Sequence, residues 1–241
     1  MAEDVFDRAV GYPYSIPDTS YVYHNGSYTE VDAPSDWTDV SGLTPVLAVG
    51  SNQSPQQLAR KFPGSDWAPI PVSKVSLKDF DTVYSAHITA YGSIAATLFA
   101  VPGTTVTLFV NWLDEAHLRR MHETELGNEN YEFGKLTGIE LDVEFGSSMS
   151  EVSLYHGLRG IYAPNGNPIP LAEVKTINRQ HDDMTQHQVL THIRDRLSPE
   201  AELEEFVREA ATDRAVRQSR TESIGEGRLI FSYEGYVPSA L

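Results

Sequence analysis

The chain has 241 residues, 40% of them hydrophobic and 22% charged, enough for one large domain, or a domain with an appendage, that buries a real core. Its formal net charge of -16 repels phosphate and argues against nucleic acid or an anionic membrane as a general partner. The absence of cysteine removes disulfide scaffolds, thiolate nucleophiles and Cys-zinc sites together.

A local basic pocket for a small anion stays compatible with that charge. The opening MAEDVFDRAVGY is acidic and has no apolar run, so it does not read as a signal peptide. No stretch reaches the roughly 18 apolar residues of a membrane span. The expectation is a soluble, cytoplasmic protein.

Residues 1–43 are rich in Tyr, Asp, Ser and Pro without clear periodicity, and read as an irregular arm laid over the domain. Thr44 to Val49 is a short apolar run, expected to be a buried strand. Gly50-Ser51-Asn52 follows. Ser54 then caps a helix that has Pro55 at its first position and stops before Pro63-Gly64. Strands are expected over Ile70–Leu77, Asp81–Thr89, Ala95–Ala100 and Val106–Trp112, with a turn at Pro102-Gly103. Leu113 to Leu126 reads as a helix, and Tyr131–Phe145 and Glu151–Tyr162 as strands. Helical spacing returns over Asp183–Leu197, and Ser198-Pro199-Glu200 reads as the start of another helix through Arg217. Arg228–Tyr236 reads as a last strand. The expected organisation is therefore an arm over 1–43, a β-rich domain over 44–170, and a helical appendage with a final strand over 171–241.

Two features carry chemistry. A strand, then Gly-Ser-Asn, then a capped helix exposes amides and a helix N-terminus that attract negative charge. Such a loop can hold a carboxylate or steady an oxyanion, although a plain strand-to-helix turn has the same sequence. The second feature is the helix capped by Asp114. Counting about 100° per residue from Leu118 puts Met121 near 300°, His122 near 40°, Glu125 near 340° and Glu123 near 140°. Glu125 thus falls in the apolar stripe and Glu123 faces away. A carboxylate there is expected to lose hydration and have a raised pKa, suiting a general acid/base. The plainer reading is a Glu at a frayed helix end, in solvent or paired with an Arg.

Other chemistries find little support. The pairs His117/His122 and His187/His192 are spaced by five, whereas helical zinc pairs prefer four, so no metal is expected, and only a non-sequential site using His87 or His156 stays open. There is no Gly-x-Ser-x-Gly elbow, P-loop or Gly-x-Gly-x-x-Gly. Tyr131 stands out among the tyrosines because it opens the strand after the Glu125 helix.

Together these residues resemble the γ-glutamylcyclotransferase-like family. Val46-Leu47-Ala48-Val49-Gly50-Ser51-Asn52 is similar to its signature strand and Tyr-Gly-Ser-Asn loop. Tyr91-Gly92-Ser93-Ile94-Ala95-Ala96-Thr97-Leu98, then Pro102-Gly103-Thr104-Thr105-Val106, resembles its Gly-x-x-Ala-Thr-Ile and Pro-Gly-x-x-Val stretch. Leu118 to Tyr131 resembles its helix with a closing acidic residue and a following Tyr. The matches run in family order over 44–162. The resemblance implies an α+β fold: a small mixed β-barrel with packed helices, here with a C-terminal helical appendage. It implies Glu125 as general acid/base, and a substrate pocket using Val49, Gly50, Ser51, Asn52 and Tyr131. The implied reaction needs no cofactor: the α-amine of a γ-glutamyl amine or peptide attacks its own γ-carbonyl and releases 5-oxoproline. Two positions depart from the pattern. The Tyr before Gly-Ser-Asn is Val49, which removes a hydroxyl near the pocket, and the Gly after the Glu is Leu126. The alternative is a non-catalytic module that keeps the pocket for a small carboxylate or binds a protein. The appendage over 171–220 is a candidate contact for a homo-oligomer.

Overall fold

The computed structural model describes residues 3–127 and 130–239. Ala240 and Leu241, at the end of the expected appendage, lie outside them.

Residues 3–43 are more ordered than their composition suggests. They contain helix α1 (Val5–Val10) and a hairpin of β1 (Tyr21–His24) and β2 (Ser27–Glu30). Asp4 caps α1, accepting from the amides of Phe6 and Asp7. The hairpin turns through Asn25 and Gly26, with φ of 49° and 79°, as a two-residue turn with both central residues left-handed requires. The expectation of an irregular arm fails for a physical reason: six helical residues are too few to show a 3.6-residue period, and β2 is exposed at every position, so it shows no alternation.

Five strands close a barrel: β3 (Thr44–Ala48), β4 (Ile70–Ile88), β5 (Ile94–Leu113), β6 (Tyr131–Val143) and β7 (Met149–Gly157). Neighbours run β4, β5, β3, β7, β6 and back to β4. Only the β3–β7 pair is parallel, so the barrel is mixed, as expected. Successive strand residues point to opposite faces. On β3, Val46 joins the cluster under the helix after the loop, while Leu47 joins the main core.

The four strands expected between residues 70 and 112 are two long ones. Lys78 pairs with Thr105 but Phe80 with Ala100, so Asp79 opposes a four-residue bulge. Asp79 and Gly103 both have positive φ, and the Gly103 amide donates to Asp79 Oδ1 at 2.7 Å. Pro102-Gly103 therefore interrupts the pairing without reversing the chain, which corrects the expected turn.

Helix α2 (Pro55–Lys61) follows the loop and α3 (Glu115–Glu125) follows β5. Ser54 and Asp114 cap them as expected, Ser54 accepting from Gln56 N and Asp114 from His117 N. A short β8 (Thr176–Ile177) pairs with β5. Then come α4 (Gln186–Leu197), α5 (Leu203–Thr212) and α6 (Arg214–Ile224). The single helix expected after Ser198 is corrected to two. Ser198 ends α4, and Asp213 ends α5 and caps α6 by accepting from the amides of Ala215 and Val216. Asp213→Ala should therefore cost about 1 kcal/mol of stability, read as a lower denaturation midpoint. The expected strand 228–236 is mostly irregular. Leu229 bridges Ile161, and only β9 (Tyr236–Pro238) pairs with β6.

The appendage helices share the barrel's core. Val189, Ile193, Phe206, Val207 and Ile224 belong to the same buried cluster as Leu47, Val75 and Leu108. Among the described residues, no helix is long and apolar enough to cross a membrane.

Candidate active site

The loop after β3 and the end of α3 face one cavity of about 320 Å³. Val49, Gly50, Ser51, Asn52, Glu125 and Tyr131 all line it. The six candidate residues are thus brought together, although 73 positions separate Asn52 from Glu125. Asn52 Nδ2 donates to Glu125 Oε1 at 2.8 Å. Ser51–Gln53 forms one short 3-10 turn before α2. Among the described residues, none accepts from the backbone amides of Ser51 or Asn52.

Glu125 sits where the helix count puts it. Its side chain is 14% exposed, whereas Glu123 is exposed and pairs with Arg120. The expected rise in pKa is corrected. Burial pushes it up and is the largest single influence, but the Lys61 ammonium and the Asn52 hydrogen bond together outweigh it and hold Glu125 below the usual carboxylate range. At neutral pH Glu125 is therefore a carboxylate.

Lys61 is a cavity residue that sequence reasoning missed. It closes α2, is 7% exposed, and its ammonium pairs with Glu125. It also donates to Thr124 Oγ1 at 3.1 Å and approaches Met121 Sδ at 3.3 Å. A signal was available. Counted from Leu58 at about 100° per residue, Lys61 lies near 300° and Phe62 near 40°. That is the apolar stripe of α2, the same kind of placement that singles out Glu125 on α3.

The arm supplies the other unforeseen groups. Tyr12 is buried against Gly50, and its hydroxyl accepts from the Ala96 amide at 2.8 Å. A Cβ on Gly50 would run into that hydroxyl, with Cζ 3.2 Å away. Tyr12 thus brings a hydroxyl to the cavity beside Val49, where the Tyr of the resembled motif is absent. Gly50→Ala should cost about 1–3 kcal/mol by overpacking, and Tyr12→Phe should relieve part of that loss, both read by thermal melting. Arg8 also lines the cavity. Its guanidinium stacks over Tyr91 at 4.4 Å, and among the described residues its buried Nε has no hydrogen-bond partner. Arg60, by contrast, is committed to Glu3 and to the Tyr14 ring.

Hydroxyls around the cavity stay protonated. Burial, reinforced by the charge of Glu125, raises the pKa values of Tyr12, Tyr131 and Tyr155. Burial, with the Arg159 charge, pushes His87 down to about 4, so it is uncharged at neutral pH. The site holds one largely buried carboxylate, one buried ammonium, the Arg8 guanidinium and several neutral donors. Leu126 ends α3 in a right-handed conformation with φ of -94°, so no glycine is needed there, and its side chain packs on the second core cluster. Among the described residues, no group of three or more His, Asp or Glu could hold a metal ion.

No family model and no curated protein matches the chain. Solved structures do. A γ-glutamyl cyclotransferase is 14% identical over 80% of this chain and 91% of its own, with a TM-score of 0.39. An uncharacterized protein from Homo sapiens is 12% identical over 90% and 93%, with a TM-score of 0.38. A yeast γ-glutamyl cyclotransferase specific to glutathione is 11% identical over 77% and 96%, with a TM-score of 0.32. The structural neighbours thus include γ-glutamyl cyclotransferases.

Proposed function

We propose that this protein is a cofactor-independent, γ-glutamylcyclotransferase-like enzyme that cyclises a γ-glutamyl amine or peptide to 5-oxoproline. The observation that carries the reading is the shared cavity, in which an ionised, buried Glu125 is joined to the Gly50-Ser51-Asn52 loop. The neutral α-amine of the substrate attacks its own γ-carbonyl carbon. Glu125 takes the proton that the attacking nitrogen sheds. The carbonyl oxygen gathers negative charge, which the amides of Ser51 and Asn52 and the neutral tyrosine hydroxyls are suited to stabilise. The bond from the γ-carbon to the leaving nitrogen then breaks, and Glu125 returns its proton to that nitrogen. The products are 5-oxoproline and a free amine, and the carboxylate is restored.

Each part has a physical warrant. Attack within one bound molecule supplies proximity. A base must be unprotonated before it acts, and Lys61 and Asn52 keep Glu125 so. Water exclusion as substrate fills the cavity raises the carboxylate's proton affinity at the moment it is needed. Arg8, with its unused Nε, suits the substrate's α-carboxylate. The test is a panel of γ-glutamyl amines and peptides assayed for 5-oxoproline. Release by the wild-type protein supports the reading. Absence of release across the panel refutes it for those substrates.

One observation favours a second reading, a non-catalytic module for a small carboxylate: the carboxylate of Glu125 is already engaged by Lys61. Ligand binding that raises the melting temperature equally in wild type and Glu125→Gln, without turnover, would favour it.

A further inference from the structure

Tyr12 reaches the cavity from the turn after α1 and is only 4% exposed. Two groups hold its phenol in one orientation. The Ala96 amide on β5 donates to the hydroxyl oxygen at 2.8 Å, and the Tyr14 ring packs edge-on against the Tyr12 ring, with centroids 6.2 Å apart. The bond from Ala96 uses the oxygen as an acceptor and leaves the hydroxyl proton to donate. Among the described residues, none accepts from that hydroxyl. A buried donor without an acceptor is costly, so the proton calls for an acceptor that enters the cavity. The segment that carries Tyr12 is tied at two points, because Glu3 pairs with Arg60 on α2 and Asp4 with Arg208 on α5.

The hydroxyl also accounts for the residue at position 50. A Cβ there would collide with it, so only glycine fits without displacing the phenol. Tyr12 is therefore seated directly against the loop, next to the peptide bond that carries the Ser51 amide. Val49, on the strand side of Gly50, has no polar side-chain atom. The other tyrosines near Glu125 are placed differently. Tyr155 is hydrogen-bonded to His122 Nδ1 at 2.8 Å, and among the described residues no hydrogen bond fixes the hydroxyl of Tyr131. Tyr12 alone of the three joins an amide anchor to an uncommitted proton beside the loop.

We propose that the Tyr12 hydroxyl donates to the oxygen that gathers negative charge during the reaction, and hence that the N-terminal segment is part of the active site. This rests on the cyclising reaction proposed above. As the α-nitrogen attacks the γ-carbonyl carbon, the π electrons of the carbonyl move onto its oxygen, and the Tyr12 proton hydrogen-bonds to that oxygen without being transferred. When the bond to the leaving nitrogen breaks, the electron pair returns to the carbonyl and the hydroxyl is left as it began. A donor already oriented by Ala96 needs no reorganisation as the charge develops.

Tyr12→Phe removes the hydroxyl and keeps the ring. It should lower kcat for 5-oxoproline release by about 10²-fold, the effect of losing one oxyanion donor, with KM changed by less than about threefold. Calorimetry adds a readout that needs no turnover. The probes are 5-oxoproline and its cyclic phosphonamidate analogue, in which a tetrahedral phosphorus replaces the carbonyl carbon and carries an anionic oxygen. Tyr12→Phe should weaken binding of the phosphonamidate at least about tenfold and of 5-oxoproline less than about threefold. Because Tyr12→Phe also leaves the Ala96 amide without its acceptor, Tyr12→3-fluorotyrosine serves as a second variant. It keeps the hydroxyl, makes it a stronger donor, and should bind the phosphonamidate more tightly than wild type does. A hydroxyl that only braces Ala96 would lower the melting temperature of Tyr12→Phe and weaken both probes alike. Equal losses for the two probes, or an unchanged kcat and analogue affinity, overturn the proposal. Phosphonamidate binding that depends on Tyr12, without release of 5-oxoproline by the wild type, refutes the cyclising reaction and leaves Tyr12 as the anion donor. Release at an unchanged rate in Tyr12→Phe does the reverse, and a wild type that neither binds the probes nor releases 5-oxoproline overturns both.

Discussion

Replacing Lys61 with Met should destabilise the protein by about 3–5 kcal/mol near neutral pH, the range found when one partner of a buried ion pair is removed. Lys61 and Glu125 are 7% and 14% exposed, so water compensates little for the lost ammonium. The loss should depend on pH in a defined direction. In the wild-type protein the folded pKa of Glu125 lies below its ordinary value. Its ionised form therefore stabilises the fold above the unfolded pKa, and that contribution fades as pH falls through the lowered folded value. In Lys61→Met, burial is left with only the Asn52 hydrogen bond against it, so the pKa should rise above the ordinary value. Protonation then favours the folded state, and the deficit should shrink toward about pH 4, where carboxylates protonate. Urea denaturation at both pH values measures this. A deficit of equal size at both would mean that Lys61 acts through packing alone. The acid limb of the pH–rate profile should also move to higher pH in this variant.

Glu125→Gln should lower the rate of 5-oxoproline release by about 10²- to 10⁴-fold, the range of a lost general acid/base. The amide keeps the shape of the side chain and can still accept from Asn52, so substrate binding should survive. It cannot take a proton from the attacking amine. It also leaves Lys61 without its counter-charge, so some stability is lost. Lys61→Met combined with Glu125→Gln should be less destabilised near neutral pH than the sum of the single variants, because neither buried charge remains. An unchanged rate in Glu125→Gln would assign the proton transfers to another group.

Much of this was legible in the sequence. The helix count separated Glu125 from Glu123, because α3 is long enough to show a stripe. The cap residues Ser54 and Asp114 fixed where two helices begin. Resemblance joined the loop to Glu125, since nothing local relates positions 50 and 125. The sign of the pKa shift was not legible. Burial alone predicts a rise, and the opposing ammonium arrives from another helix. Arg8 and Tyr12 were hidden for a different reason: Arg8 rides on a six-residue helix whose periodicity is too short to read, Tyr12 follows in the turn after it, and both reach the cavity only through the packing of that segment. The bulge at Pro102-Gly103 shows the limit of punctuation residues, which mark broken pairing as readily as a reversal.

The most direct test of the central claim follows the atoms. Wild-type protein is incubated with γ-glutamyl-alanyl-glycine labelled with nitrogen-15 at the α-amine, and the products are followed by nuclear magnetic resonance. The label should appear in the ring nitrogen of 5-oxoproline, with alanyl-glycine released in equal amount and the reaction nearly abolished in Glu125→Gln. Labelled glutamate in place of 5-oxoproline, or intact tripeptide with both proteins, would contradict cyclisation at the Gly50-Ser51-Asn52 and Glu125 site.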